Sequence, residues 1–172
     1  MNDKNILDIE NVSVHYKTFD GTFSAVNNVS FSLGHDESIG IIGESGCGKS
    51  TLSFTVMRYL ASNAIVEGNI SFKGESLFEK SEKEMEDYRG NRIAMVFQNP
   101  DSSLNPALTI GFQLDEVGIY HQKLSKKEAR KASIEALEMM HLGDPKSIVK
   151  RYPHQVSGGI QQRIWIAMAI LC

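Results

Sequence analysis

At 172 residues, with 41% apolar and 23% charged residues, the chain suits one globular domain, or one core with an inserted subdomain. A net charge of −3 lacks the basic footprint of a nucleic-acid binder, and the one basic cluster (Lys123, Lys126, Lys127, Arg130, Lys131) is interleaved with Glu128, as on a solvated helix face. Two cysteines, Cys47 and Cys172, form neither a disulfide framework nor a metal-spaced pair, which fits a reducing compartment; residues 1–4 are too polar for a signal peptide, and the longest apolar stretch, 164–172, is about half a bilayer span.

Leu7, Ile9, Val12, Val14 and Tyr16 alternate with one break, which predicts a strand carrying an irregularity. Asp20-Gly21 is a hairpin signal, and Val26, Val29, Phe31 and Leu33 predict the returning strand, so an antiparallel unit opens the chain. Residues 38–42 are a short apolar run ending in a glycine-rich loop, and 49–60 read as a helix. Strand, loop, helix is the start of a parallel α/β core. A further short strand is expected at 68–73. Ile93, Ala94, Met95, Val96 and Phe97 predict a buried parallel strand over 92–98, because such strands are apolar on both faces.

After Asn99-Pro100 the texture becomes helical, at 109–122 and 125–142, the second opened by the capping box Ser125-x-x-Glu128. Pro145 and Pro153 punctuate the next loop, and Ser157 opens a final helix. No internal repeat or low-complexity segment interrupts this order. The expected organisation is therefore an α/β core with its antiparallel unit over residues 1–98 and a helical subdomain over 99–172.

The strongest chemical signal is Gly43-Glu44-Ser45-Gly46-Cys47-Gly48-Lys49-Ser50-Thr51, which matches G-x-x-x-x-G-K-[ST]. Triphosphate oxygens need several backbone N–H groups pointing inward at close range. Glycines allow the backbone angles this requires, and the helix that follows adds its positive end. Lys49 can reach the terminal phosphates and the Ser50 hydroxyl can ligate Mg²⁺, so a nucleotide triphosphate with Mg²⁺ is expected, although the loop alone does not separate kinases, GTPases and transport ATPases. Cys47, inside the loop, is expected to be accessible.

Two further segments narrow the reading. Gln98 in Val96-Phe97-Gln98-Asn99-Pro100 sits at the carboxyl end of an expected strand, where α/β sheets bind ligands, and its amide could reach Mg²⁺ or an attacking water. In Val156-Ser157-Gly158-Gly159-Ile160, a good N-cap residue and two glycines leave a helix N-terminus bare, an anion site without a phosphate loop of its own.

Taken in order, the phosphate loop, the strand ending in Gln98, the helices, and Ser157-Gly158-Gly159 opening a helix resemble the ATPase subunits of ABC transporters. The likeness is nearest to the oligopeptide, dipeptide and nickel importers. Asp101-Ser-Ser-Leu-Asn-Pro106, Thr109-Ile-Gly111 and Arg151-Tyr-Pro-His-Gln155 also carry it. The resemblance implies a P-loop NTPase fold, with a parallel sheet, an N-terminal antiparallel β unit and a helical subdomain. It makes Tyr16 an aromatic that stacks on adenine. It implies a second ATPase subunit bound head to tail, so that each phosphate loop faces the partner's Ser157-Gly158-Gly159 equivalent. It also implies transmembrane permease subunits, a solute-binding protein and a place on the cytoplasmic face of the membrane.

The sequence departs from the family at Val156 and Ile160 of the signature segment and at Cys47 of the loop. The family follows the signature helix with an apolar strand ending in Asp-Glu, which supports Mg²⁺ and polarises the attacking water. The chain is therefore expected to be C-terminally incomplete and, by itself, nearly inactive. Asp115-Glu116 only mimics that pair, since it falls in expected helix before the signature. Other readings are a nucleotide-binding module without turnover and a soluble ABC ATPase outside transport.

Overall fold

The computed structural model describes residues 5–97 and 104–172, and the chain divides into two compact units, 1–85 and 86–172. The first unit is built on an antiparallel sheet of β1 (Asn5–Thr18), β2 (Gly21–Gly34), β3 (Ala64–Phe72) and β4 (Glu75–Ser76), in the order β2-β1-β3-β4. Helix α1 (Lys49–Val56) lies between β2 and β3 in the chain.

The break in the first strand's alternation is a β-bulge. Ladder partners slip between Glu10 and Ser13, Asn11 takes φ 50°, and Gly68 of β3 passes so close that a Cβ there would stand 2.4 Å from the Asn11 carbonyl oxygen. The hairpin closes at Thr18 and Gly21, with the Thr18 hydroxyl donating to the Gly21 carbonyl at 2.8 Å. Ile9, Val12, Val14, Val26, Ile70 and Phe72 turn inward from the sheet, while Leu52 and Thr55 do so from α1.

Helix α1 is shorter than the expected 49–60. Arg58 adopts φ 50°, and the Arg58 and Tyr59 amides donate back to Thr55 and Phe54, a Schellman ending made without glycine. Arg58 also donates to the Leu77 carbonyl at 3.1 Å. That contact joins distant parts of the sequence, so no local pattern announces it.

Two expected parallel strands are not formed as ladders. Residues 38–42 pair with nothing among the described residues, and Ile39, Ile41 and Ile42 are 44%, 44% and 97% exposed. Among the described residues, strand pairing of 93–97 is limited to the isolated parallel bridge between Arg89 and Ile93. An apolar run becomes a strand only when a neighbour supplies N–H and C=O groups to it. The local sequence promised the run but could not promise the neighbour.

Helix α2 (Glu82–Tyr88) crosses the division between the units. It starts with a reciprocal box in which the Glu84 carboxylate accepts from the Ser81 amide and hydroxyl at 2.8 and 2.6 Å. The second unit is helical: α3 (Ile110–Gln122), α4 (Lys126–Met139), α5 (Pro145–Ile148), a 3₁₀ turn (Pro153–Gln155) and α6 (Gly158–Leu171). Its core gathers Ile110 and Leu114 from α3, Ala136 and Leu137 from α4, and Ile164, Ala167 and Leu171 from α6. The expected capping box is present: the Glu128 carboxylate accepts from the Ser125 amide at 2.9 Å, and the Ser125 hydroxyl accepts from the Glu128 amide at 3.4 Å. Bonds from Ser125 and Ser81 hold Glu128 and Glu84 below their ordinary carboxylate range. Their capping contribution is complete above the unfolded carboxylate pKa and disappears as pH falls through the lowered one.

Asp115 joins α3 to α4. Its carboxylate accepts from Arg130 Nη2 at 2.7 Å and Nε at 2.9 Å, and from the Ser133 hydroxyl at 2.7 Å, with Ser133 fully buried. Asp115→Ala would orphan that hydroxyl and leave half-buried Arg130 unpaired, at an expected cost of about 1–3 kcal/mol. Urea unfolding checks this, with a lowered midpoint expected and an unchanged midpoint contradicting it.

Candidate functional site

The 43–51 segment leads into α1 through backbone shapes that few residues tolerate. Gly46 and Gly48 take φ 83° and 94°, in the left-handed region. Gly48 is also pressed against β2, where a Cβ would meet the Ala25 carbonyl oxygen at 2.1 Å. A Cβ on Gly43 would stand 2.5 Å from Cys47 Sγ. As the N-cap of α1, Gly48 offers no side-chain acceptor to the helix's first amides. Those amides and the helix dipole are set up for an acceptor from outside the chain.

Lys49 folds back over the loop, donating from Nζ to the Gly43 carbonyl at 2.8 Å and the Glu44 carbonyl at 2.6 Å, with Cys47 Sγ at 3.5 Å. This places an ammonium beside the glycine turns. Ser50 is exposed on the first turn of α1, one residue on. A cradle that excludes side chains, an ammonium, free helix amides and an exposed hydroxyl together fit a polyphosphate with a hard divalent cation. Beside the loop opens a groove of about 550 Å³, lined by Ser24, Val26 and Asn27 from β2 and by Cys47, Gly48 and Lys49. Tyr16 lies on β1, half-buried, opposite Phe23 of β2.

In the second unit, Ser157, Gly158 and Gly159 are exposed at the start of α6. The Ser157 backbone has N-cap geometry (φ −70°, ψ 158°), but its hydroxyl makes no capping bond, and Cβ atoms on either glycine would meet open space. Gln161 holds this turn in place and was not singled out by sequence. Only 9% exposed, it donates from Nε2 to the Pro153 and Val156 carbonyls at 3.1 and 3.4 Å, tying the preceding loop to the helix.

Gln98 lies outside the described residues, as do Asn99-Pro100 and Asp101. Just beyond them, Gln113 of α3 orders the turn by accepting from the Asn105 amide at 2.8 Å and donating to the Asn105 and Leu108 carbonyls, both at 3.1 Å. Asp115 is committed to Arg130 and Ser133, as described above, so its resemblance to a catalytic Asp-Glu pair is one of sequence only. Among the described residues no group of three or more His, Cys, Asp or Glu is placed to hold a metal, and no helix is long and apolar enough to cross a membrane.

The chain is similar to known proteins along most of its length. The family model described as ABC transporter matches residues 26–172. The dipeptide transport ATP-binding protein DppD of Bacillus subtilis is 46% identical over 97% of this chain and 50% of its own length. The oligopeptide transport ATP-binding protein OppD of Escherichia coli is 41% identical, with the same coverage on each side. The chain thus spans about half the length of the curated relatives it matches. A dimeric bacterial ABC transporter cassette superposes with a TM-score of 0.83 at 28% identity, covering 96% of this chain and 69% of that one. A post-hydrolysis cassette dimer bound to ADP and Pi gives 0.82 at the same identity. The α/β cassette class read from the sequence stands on these matches.

The two thiols differ in a way that a single reaction separates. Cys47 is exposed, whereas burial pushes the Cys172 thiol up from its ordinary pKa. A limiting dose of maleimide at neutral pH should therefore modify Cys47 first. Peptide mass spectrometry reads the outcome, and equal labelling of the two would contradict the loop geometry.

Proposed function

The chain belongs to the ABC transporter family, and from that membership we propose that it carries the ATP-binding part of a peptide importer's ATPase subunit, with ATP and Mg²⁺ held at Gly43–Thr51. The observation that carries the reading is the cradle itself: left-handed Gly46 and Gly48, the latter packed against β2, with Lys49 Nζ 2.6–2.8 Å from the carbonyls at the mouth of the loop. In this reading the amides of Gly46, Cys47 and Gly48 and those of the first turn of α1 receive phosphate oxygens. Glu44 and Ser45 shape the turn, and Lys49 leaves the Gly43 and Glu44 carbonyls in part to meet negative charge. Ser50 and Gln98 ligate the cation, Thr51 continues the helix, and Tyr16 stacks on the base. When bound, the nucleotide with its Mg²⁺ supplies a phosphoryl group whose transfer to water releases the energy for transport.

The bare start of α6 supports the second half of the proposal. Ser157, Gly158 and Gly159 present amides without a side-chain cap, which suits the phosphates of a nucleotide held by a second ATPase subunit bound head to tail. The names of the relatives, dipeptide and oligopeptide transport ATP-binding proteins, support peptides as the solute. In this reading the subunit sits peripherally on the cytoplasmic face of the membrane, with permease subunits and a solute-binding protein as the other components. The energetic coupling of hydrolysis to uptake belongs to that whole assembly.

Removing the ammonium tests the phosphate assignment. A charge-assisted contact is worth about 1.5–3 kcal/mol, so Lys49→Ala should weaken a fluorescent ATP analogue roughly 10- to 100-fold. Equal affinity would overturn the role given to Lys49. Mg-ATP should also slow alkylation of Cys47, and the absence of protection would show that the loop is not the seat.

The 172-residue chain by itself is expected to turn ATP over slowly, because Asp115 of the Asp115-Glu116 pair is engaged by Arg130 and Ser133. Lack of a positioned base costs about 10²- to 10⁴-fold. A rate equal to that of a complete relative, measured on the purified chain, would contradict this.

A further inference from the structure

The hairpin end of the antiparallel sheet holds aromatic surface that folding leaves in water. Tyr16 and Phe23 are direct ladder partners, and Tyr16 pairs with Ala64 on its other side. Opposed residues of an antiparallel pair project to one face, with Cβ atoms about 4.5–5.5 Å apart. Their neighbours identify that face. Val14, two residues before Tyr16, is opposite Val26; these are 0% and 6% exposed, and Val26 Cγ2 lies 3.3 Å from the position of a Cβ on Gly48. Tyr16 shares the face of Val14, by the alternation of a strand, and Phe23 shares it as Tyr16's partner. The Tyr16–Phe23 pair therefore stands one step outward from a valine pair that packs toward the phosphate loop.

The geometry of β2 sets the distance. The ladder shifts between the Val14–Val26 and His15–Ser24 pairs, which leaves Ala25 as a bulge whose carbonyl abuts Gly48. Phe23 comes two residues before Ala25, roughly 7 Å along the strand. A nucleotide whose phosphates occupy the loop places its base at a comparable reach. Phe23 is 60% exposed, although it lies within a paired strand. An aromatic ring left open there, on the loop's side of the sheet and beside a half-buried tyrosine, has the chemistry of a base platform.

We propose that Phe23 is a second base-contacting residue, which with Tyr16 forms a two-ring floor that favours purine over pyrimidine nucleotides. This rests on the nucleotide-binding reading above. A purine overlaps both rings, whereas a single pyrimidine ring covers one, so Phe23 acts as a specificity-determining residue while the phosphate loop provides most of the affinity.

Calorimetric titration of the full chain with Mg-ATP, Mg-CTP and Mg-tripolyphosphate tests it. Phe23→Ala should weaken ATP roughly 3- to 10-fold and leave tripolyphosphate unchanged, narrowing the preference of ATP over CTP, with Phe23→Tyr restoring it. If Phe23→Ala binds ATP as the wild type does while Lys49→Ala loses it, the platform is overturned and the nucleotide reading survives. Parallel loss of ATP and tripolyphosphate in Phe23→Ala would mean that the ring only supports the fold, which also overturns the proposal. If Lys49→Ala too binds ATP normally, the nucleotide reading fails and takes the platform with it.

Discussion

The first unit depends on one close approach, that of Gly48 to the carbonyl of Ala25. A Cβ at that position would stand 2.1 Å from the oxygen, well inside van der Waals contact, so the backbone of the 43–51 loop rests directly on β2. The φ of 94° at Gly48 adds a second reason for glycine. Much of the local arrangement follows from this contact. It needs the Ala25 bulge to bring β2 toward the loop, it needs the antiparallel unit to hold β2 rigid, and it aims the start of α1 at the loop's mouth. The sheet is thus the bench on which the glycine loop is mounted.

The second unit solves a different problem, that of presenting a helix start without a side-chain cap. Buried polar side chains do much of this positioning. Gln161 fixes the loop before α6 from behind, leaving Ser157, Gly158 and Gly159 facing outward. Gln113 orders the turn before α3, and Asp115 locks α3 to α4 through Arg130 and Ser133. Satisfied buried polar groups of this sort specify one packing among many, because any slip would leave them unpaired in a medium of low polarity. At the far end of α6, Gln122 donates to the Leu171 carbonyl at 2.6 Å, while the indole N–H of Trp165 is buried without an acceptor among the described residues.

Local chemistry was legible in the sequence, and tertiary pairing was not. The loop at 43–51, the Ser125–Glu128 box and the bulge hidden in Leu7, Ile9, Val12 and Val14 each have a cause within a few residues, and each appears in the structure. The capping box at Ser81 and Glu84 has an equally local signal in Ser-x-x-Glu. By contrast, the end of α1 at Arg58 uses a residue with no preference for left-handed backbone. Residues 38–42 and 93–97 have the apolar character of parallel strands, but a strand is a relation between two segments. The roles of Gln113 and Gln161 depend on backbone carbonyls that a side-chain pattern does not reveal. For the site, glycine spacing marked the 43–51 loop and the α6 start as candidates, yet it offered no sign that Phe23 faces the same way as Tyr16.

The central claim is that the glycine loop resting on β2 is an anion seat for ATP. Hydrogen exchange of the full chain, with and without saturating Mg-ATP, tests it most directly. The account predicts slowed exchange at the amides of 44–51, extending to β2 around Ala25, with the capping box of α4 unchanged. Unaltered exchange across 44–51 at nucleotide saturation would contradict it.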